Sequence, residues 1–267
     1  MPERPGGPNP VRPVLVAVAH GSADPRAAAT ITDLIALATG RAAARGLNLP
    51  EVRTAYLGHA APSLPQVMGG IGPSRVTVLP LLLTAAYHSK TDIPRVLARL
   101  AGEFSRLQVG YGVPLGPHPL LLRALEQRLA QADPHSHDDP AYRGQTGVVL
   151  AAAGSTDPEA NATIARLAAQ WQAKAGWFAV RPASAAAATP QAPAPAEAVS
   201  GLLRAGARRV LVATYLLAPG FFADRIRSSA MAAGAAAVSP ALGASPDVAE
   251  VLLDRYQEAG TLRQTAA

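Results

Sequence analysis

Three histidines stand just past apolar segments in the first half of the sequence: His20, His59 and His88. Neutral imidazole is a good ligand for divalent first-row metals, and a site with open coordination positions is what metal catalysis needs. Histidine is also the side chain most often used to move protons near neutral pH. A histidine after a strand can instead cap a helix or bind loop backbone. The residue types therefore predict a metal site with an acid–base role, and a purely structural role is the alternative.

The apolar segments before these histidines are typical of parallel strands that are buried on both faces. They cover residues 14–19, about 52–57 and 75–83. Helical segments separate them, and Ser22 or Asp24 is placed to cap the first helix. In an open parallel sheet, ligands bind beyond the carboxyl ends of the strands. The three histidines are therefore predicted to meet at one rim.

The second half of the chain repeats the first half without these histidines. Aligning the two Gly-Ser pairs sets Ala153 against His20, and aligning the two Arg-Val strands sets Phe222 against His88. A duplicated fold with metal ligands in one copy predicts a single site on a pseudo-symmetric scaffold. The second copy is expected to form the opposing wall of a cleft. Phe221 and Phe222 are candidates for its apolar surface, with core packing as the alternative.

Composition limits the class of protein and its partners. The 267 residues are 49% hydrophobic and 16% charged, which suits two folded domains, and the lack of cysteine excludes disulfides and thiolate metal sites. The net charge of +6 comes from scattered arginines, and only 4% of the residues are aromatic, so no nucleic-acid partner is expected. No segment reads as a signal peptide or a membrane span. We therefore expect a cytoplasmic protein with no membrane partner.

The alternation of strands and helices predicts an α/β fold of two tandem, pseudo-twofold-related domains, each a small parallel sheet flanked by helices. We expect a disordered tail over 1–12, an N-terminal domain with the metal site over 13–132, a linker over 133–145 and a degenerate C-terminal domain over 146–260. The Ala- and Pro-rich segment 183–196 predicts a poorly ordered loop. Because the repeat already pairs two halves, the chain is expected to be a monomer.

The remaining histidines are predicted to lie outside the site. His118 stands between two prolines, which favours a structural role. His135 and His137 fall in the polar linker and are expected to be exposed to solvent. At most they form a weak, adventitious metal site.

Four segments, in order along the chain, resemble the motifs of the sirohydrochlorin chelatases, the class II chelatases of the cobaltochelatase and siroheme ferrochelatase type. They are residues 19–25 (Ala-His-Gly-Ser-Ala-Asp-Pro), 55–63, 79–83 followed by 88–94, and 116–119 (Gly-Pro-His-Pro). The resemblance covers nearly the whole chain, in the family's long, internally duplicated form. It implies that both predicted domains are chelatase-like.

The resemblance further implies a lyase that inserts Fe²⁺ or Co²⁺ into sirohydrochlorin without nucleotide hydrolysis, in siroheme or cobalamin biosynthesis. It carries the family's two metal-binding histidines onto His20 and His88. Many members have an acidic residue where this chain has Gly58, and His59 is the candidate replacement. The metal is then a substrate, and no permanently bound cofactor is expected.

Sirohydrochlorin is a polycarboxylate, so cationic side chains are predicted around the cleft. Lys90 and Arg95 follow His88, and Arg26 lies in the first turn after His20. For the two arginines the alternative is a solvated helix charge. Two other functions stay open. One is a non-catalytic metal or tetrapyrrole carrier on the same fold, and the other is a phosphohistidine enzyme, which would lack its expected flanking arginine.

Overall fold

The computed structural model describes residues 13–85, 91–103, 106–133, 135, 139–186 and 189–264. In the first half, four parallel strands form a sheet in the order β2-β1-β3-β4. The strands are β1 (Val14–Ala19), β2 (Glu51–Tyr56), β3 (Ser74–Pro80) and β4 (Leu107–Tyr111). The helices are α1 (Pro25–Ala44), α2 (Leu64–Gly69), α3 (Ile93–Glu103) and α4 (Pro119–Ala132).

The second half repeats this arrangement with the sheet order β6-β5-β7-β8. Its strands are β5 (Thr146–Ala152), β6 (Ala179–Ser184), β7 (Arg209–Tyr215) and β8 (Ala237–Val238). Its helices are α5 (Pro140–Arg143), α6 (Pro158–Ala175), α7 (Pro195–Arg204), α8 (Phe221–Ala232) and α9 (Pro246–Gln264). The predicted fold class, two tandem α/β units with small parallel sheets, is confirmed.

The same local chemistry starts the first helix of each half. Asp24 caps α1 by accepting a hydrogen bond from the backbone N–H of Arg26, and Asp157 caps α6 in the same way through Glu159. A proline follows each aspartate, where its missing N–H costs nothing. The central strands β1 and β5 are buried along their whole length. The same Asp-Pro pair therefore starts the helix that follows the central strand in each half.

The two halves share one hydrophobic core, because each half sends its last helix across to the other. Helix α4 of the first half packs against β7 of the second, and α9 packs against α1, α4 and β3. The core between the sheets therefore combines residues such as Leu15 and Leu150. Buried carboxylates on α9 also pair with arginines of the first half: Glu250 with Arg41, and Asp247 with Arg123. The halves form a single packed body.

Two segments expected to be irregular are ordered where the structure describes them. The segment predicted as a loop over 183–196 contains the end of β6 and the start of α7. Between them, the N–H of Ser184 donates to the carbonyl oxygen of Pro193 over 2.9 Å. The loop prediction was wrong for residues 183–184 and 195–196, which belong to β6 and α7, and residues 187 and 188 lie outside the described residues. Within the predicted linker lies helix α5, whose Tyr142 hydroxyl donates to Asp133. The predicted tail 1–12 lies outside the described residues.

None of the helices in the described ranges combines the length and the apolarity needed to cross a bilayer.

Candidate active site

A cleft of about 900 Å³ opens where the carboxyl ends of the two sheets face each other. The loops after β1, β2 and β3 line one side, and the loops after β5 and β7 with the start of α8 line the other. Equivalent loops of the two repeats therefore face each other across the cleft. This volume is within the range of roughly 300 to 1,000 Å³ that is usual for small-molecule sites.

His20 directly follows β1 and lines the cleft with an exposed side chain. Its Nδ1 lies 3.2 Å from the carbonyl oxygen of Gly21. A carbonyl only accepts hydrogen bonds, so in the neutral ring this contact places the proton on Nδ1 and the lone pair on Nε2. Nε2 is thus the atom with which His20 can coordinate a metal.

Glycine at position 21 brings the loop of His20 against the loop of His59. Gly21 has φ +89°, and a Cβ there would lie 1.8 Å from the carbonyl oxygen of Gly58. Gly58 N–H in turn donates to the carbonyl oxygen of His20 over 3.1 Å. No residue with a side chain fits this approach, so the Gly21 position fixes the distance between the two histidine loops.

His59 has a left-handed backbone, with φ 58°, and its exposed ring stacks on that of His20. The ring centroids are 6.4 Å apart and the planes differ by 11°. Both side chains line the cleft. The structure therefore brings together two of the three histidines that the sequence singles out.

His88 and Lys90 lie outside the described residues. Before them, β3 ends at Pro80, earlier than predicted, and Leu81 to Leu83 line the cleft. Among the residues that the structure describes, no three His, Asp or Glu side chains cluster closely enough to hold a metal. The described part of the site is thus the His20–His59 pair.

Arg26 bridges the two halves at the edge of the cleft. Its Nη2 lies 2.6 Å from Asp24 Oδ2 and 2.6 Å from Asp224 Oδ2. The hydrogen bonds from Arg26 lower the pKa of Asp24, while those to Asp24 and Asp224 raise the pKa of the guanidinium. Both aspartates line the cleft, and Arg26 does not. Arg95, on α3, is exposed and is also not among the lining residues.

The wall contributed by the second half is mainly apolar. Ala153 takes the position that corresponds to His20, and Phe221 and Phe222 project from the start of α8. Tyr215 crosses to the first half, where its hydroxyl donates to the carbonyl oxygen of Leu83 over 3.1 Å. Burial raises the pKa of Tyr215, which keeps the phenol protonated as a donor.

Two lining residues of the second half were missed in the sequence, Asn161 and Asp224. Asn161 holds the loop after β5 in place, because its side chain binds both the N–H and the carbonyl of Ser155. No sequence signal indicated this role. Asp224 was not singled out either, because its partner Arg26 is remote in sequence.

The other described histidines lie outside the cleft. His118 caps α4, with its Nδ1 accepting from Leu120 N–H over 3.2 Å, which confirms the structural role. His135 is exposed and its Nδ1 lies 2.5 Å from Asp133 Oδ1. His137 lies outside the described residues.

A family model described as CbiX matches the chain twice, over residues 14–132 and 147–259. The chain is 26% identical to the sirohydrochlorin ferrochelatase of Priestia megaterium over 68% of its own length, and 27% identical to the sirohydrochlorin cobaltochelatase of the same organism over 66%. These matches span 66% and 56% of the two relatives, so the chain covers less than two thirds of their length.

Among solved structures, the chain is similar to SirB from Bacillus subtilis with Fe³⁺, with a TM-score of 0.71. The match covers 93% of this chain and 96% of SirB at 23% identity. A likeness at 23% identity shows that the two proteins share a fold.

Proposed function

We propose, from the premise that this chain belongs to the CbiX family, that it inserts Fe²⁺ or Co²⁺ into sirohydrochlorin without nucleotide hydrolysis. Curated relatives named as sirohydrochlorin ferrochelatase and cobaltochelatase support this reaction. The observation that carries the proposal is the pair of imidazoles, His20 and His59, at the edge of an apolar cleft between the two repeats. A planar macrocycle needs such a cleft, and an incoming metal needs such ligands.

In this proposal His20, His59 and His88 hold the metal before insertion. His20 coordinates through Nε2, because Nδ1 faces the carbonyl oxygen of Gly21. Three protein ligands leave open positions, which the pyrrole nitrogens of the substrate then occupy. A closed site with four protein ligands would hold the metal too tightly to transfer it.

Insertion of M²⁺ displaces two N–H protons from the macrocycle, so the site also needs proton acceptors. The histidines that face the cleft are the proposed acceptors, because imidazole is the usual base at neutral pH. As the metal leaves an imidazole for the pyrrole nitrogens, that imidazole regains a lone pair and accepts a proton. The metal is a substrate in this scheme, and no resident cofactor is required.

The substrate carboxylates are proposed to bind cations at the rim. Arg26 is best placed, since it lies between Asp24 and Asp224, two residues that line the cleft. A substrate carboxylate would replace one aspartate as its partner. Lys90 and Arg95 are further candidates, and Arg95 would reach only carboxylates that project from the cleft. We further propose a cytoplasmic monomer whose second half takes the place of a partner subunit.

A non-catalytic carrier of the metal or the tetrapyrrole is the alternative, favoured by Gly58, where many family members have an acidic residue. A metal-insertion assay separates the two functions. Sirohydrochlorin is mixed with Fe²⁺ or Co²⁺, with and without the protein, and the absorbance change of the macrocycle is followed. A rate well above the spontaneous reaction supports the chelatase, whereas tight binding with no gain in rate supports the carrier.

A further inference from the structure

Two adjacent phenylalanines at the start of α8 are exposed to solvent beside the cleft. Phe221 is 69% exposed and Phe222 is 37% exposed. Among the described large apolar side chains, Phe221 is the most exposed. The two rings meet edge to face, with centroids 5.4 Å apart and planes at 70°. Such exposure is costly in water, and it indicates a surface that another apolar group covers.

The backbone places this pair opposite the loop that carries His20. Gly220 precedes the pair with φ +146°, a conformation that favours glycine. A Cβ at Gly220 would lie 3.5 Å from the hydroxyl oxygen of Ser22, so the start of α8 lies close to the loop after β1. Phe221 and Phe222 line the same cleft as His20.

The two repeats differ in the residues that they place at equivalent positions of the cleft. Phe222 stands in the register of His88, so at equivalent positions one repeat has a metal-ligand candidate and the other an aromatic ring. Ala153 replaces His20 in the same way. The first repeat therefore supplies imidazoles to the cleft, and the second supplies apolar surface.

We propose that Phe221 and Phe222 form the platform on which the tetrapyrrole macrocycle stacks, with its opposite face turned towards the histidines. This inference rests on the proposed function. A macrocycle in this position has one apolar face covered by the rings and the other open to the metal. The platform sets the distance between the pyrrole nitrogens and the metal, and thereby positions the substrate for insertion.

The charged groups of the cleft lie at its edge. The described lining holds no arginine or lysine, and its two carboxylates, Asp24 and Asp224, both pair with Arg26 at the edge. A polycarboxylate macrocycle would then insert its apolar rings between the walls and keep its carboxylates at the edge, where one can replace an aspartate as the partner of Arg26. Aromatic stacking supplies affinity without requiring hydrogen bonds from the wall.

The test is binding of metal-free sirohydrochlorin, followed by macrocycle fluorescence in the absence of added metal. The variants are Phe221→Ala, Phe222→Ala, the double variant, and Phe222→Leu, which keeps apolar bulk without a ring. Phe178→Ala is the matched control, because Phe178 is also 37% exposed in the second half but lies before β6, outside the cleft lining. Melting temperatures show that each variant is folded.

We expect about tenfold weaker binding for the double variant, since one stacking contact is usually worth about that factor or more. Phe222→Leu should bind the macrocycle almost as weakly as Phe222→Ala, because it lacks the aromatic ring. Phe178→Ala should bind as the wild type does. Wild-type affinity in the double variant would overturn the platform, as would an equal loss in Phe178→Ala. Those results leave the proposed function standing if the wild type still inserts metal. A wild-type protein that binds no sirohydrochlorin would overturn both proposals.

Discussion

The imidazole rings of His20 and His59 are nearly parallel, with centroids 6.4 Å apart, although they come from loops after different strands. The approach depends on Gly21, whose missing side chain admits the carbonyl oxygen of Gly58. The family resemblance implies an acidic residue at the position of Gly58, and here the next residue brings an imidazole beside His20. The stacked pair is therefore the structural basis for treating His59 as a ligand in place of that acid.

Replacement of His59 is expected to weaken metal capture without harming the fold. His59→Gly removes the ring and suits the left-handed backbone, so the protein should be at least as stable as the wild type. We expect the KM for Co²⁺ to rise about tenfold or more, because one of few ligands is lost. Titration of Co²⁺ by its absorbance measures the affinity directly. Unchanged Co²⁺ affinity in His59→Gly would remove His59 from the site.

Replacing the two partners of the Arg26–Asp224 ion pair should have opposite effects on the KM for sirohydrochlorin. Asp224→Asn leaves Arg26 with one charged partner, so a substrate carboxylate competes more easily and the KM for sirohydrochlorin should fall by a few fold. Arg26→Gln should raise that KM. Both changes should leave the free energy of unfolding almost unchanged, since the pair is exposed.

Arg166→Gln is the matched control for Arg26, because Arg166 forms a similarly exposed ion pair with Glu159 on α6. It should leave the KM unchanged. The same KM for wild type, Arg26→Gln and Asp224→Asn would show that Arg26 does not contact the substrate.

His118 makes stability depend on pH. Burial, and then the positive charge of Arg255, hold the pKa of His118 below its usual 6.5, and Asp254 and Glu258 oppose this shift more weakly. The unfolded chain therefore binds a proton at higher pH than the folded chain. This contribution to stability is complete above pH 6.5 and is lost as the pH falls from there through the lowered pKa.

His118→Asn tests this because asparagine can cap α4 but does not titrate. At pH 8 its stability should be within about 1 kcal/mol of the wild type. Between pH 7 and pH 5 it should lose less stability than the wild type does, as measured by urea unfolding across that range. Parallel losses in the two proteins would rule out His118 as the source.

Glu126 ties α4 to the second half through both tryptophans of the chain. Its Oε1 accepts from the indole N–H groups of Trp171 and Trp177 over 2.6 and 3.2 Å, and Arg143 pairs with Oε2 over 3.1 Å. Glu126→Leu leaves these donors without their acceptor and should cost about 2 to 4 kcal/mol. Urea unfolding followed by tryptophan fluorescence measures the loss.

Glu126→Gln retains an acceptor for the indoles and should cost less than Glu126→Leu. Glu159→Gln, in an exposed pair within one helix, should cost under about 1 kcal/mol. If Glu126→Leu costs no more than Glu159→Gln, the carboxylate is not a link between the halves.

Much of the fold could be predicted because local signals coincide with element boundaries. Helix α1 begins at one of the two predicted caps, since Asp24 caps it and Pro25 occupies its first turn. The exchange of α4 and α9 between halves could not be predicted, because an apolar helix face does not specify which sheet it covers. Helix α7 was missed since its first residues continue an Ala- and Pro-rich segment that lacks a polar cap.

The site was predicted less completely than the fold. The carboxyl ends of β1 and β2 do bring His20 and His59 together, as the rule for parallel sheets predicts. The partner of Arg26 was not foreseen, because Asp224 approaches it only through the packing of the two halves. The left-handed φ of His59 also has no sequence signature of its own.

The central claim is that a single histidine site in the first repeat performs metal insertion. Its most direct test is the initial rate of Fe²⁺ and Co²⁺ insertion into sirohydrochlorin by the wild type, His20→Ala and His88→Ala, with His135→Ala as a control that lies outside the cleft. We expect each of the first two variants to lose about 100-fold or more in rate, the scale of removing a proton acceptor, with His135→Ala unchanged. Wild-type rates in both His20→Ala and His88→Ala would contradict the account.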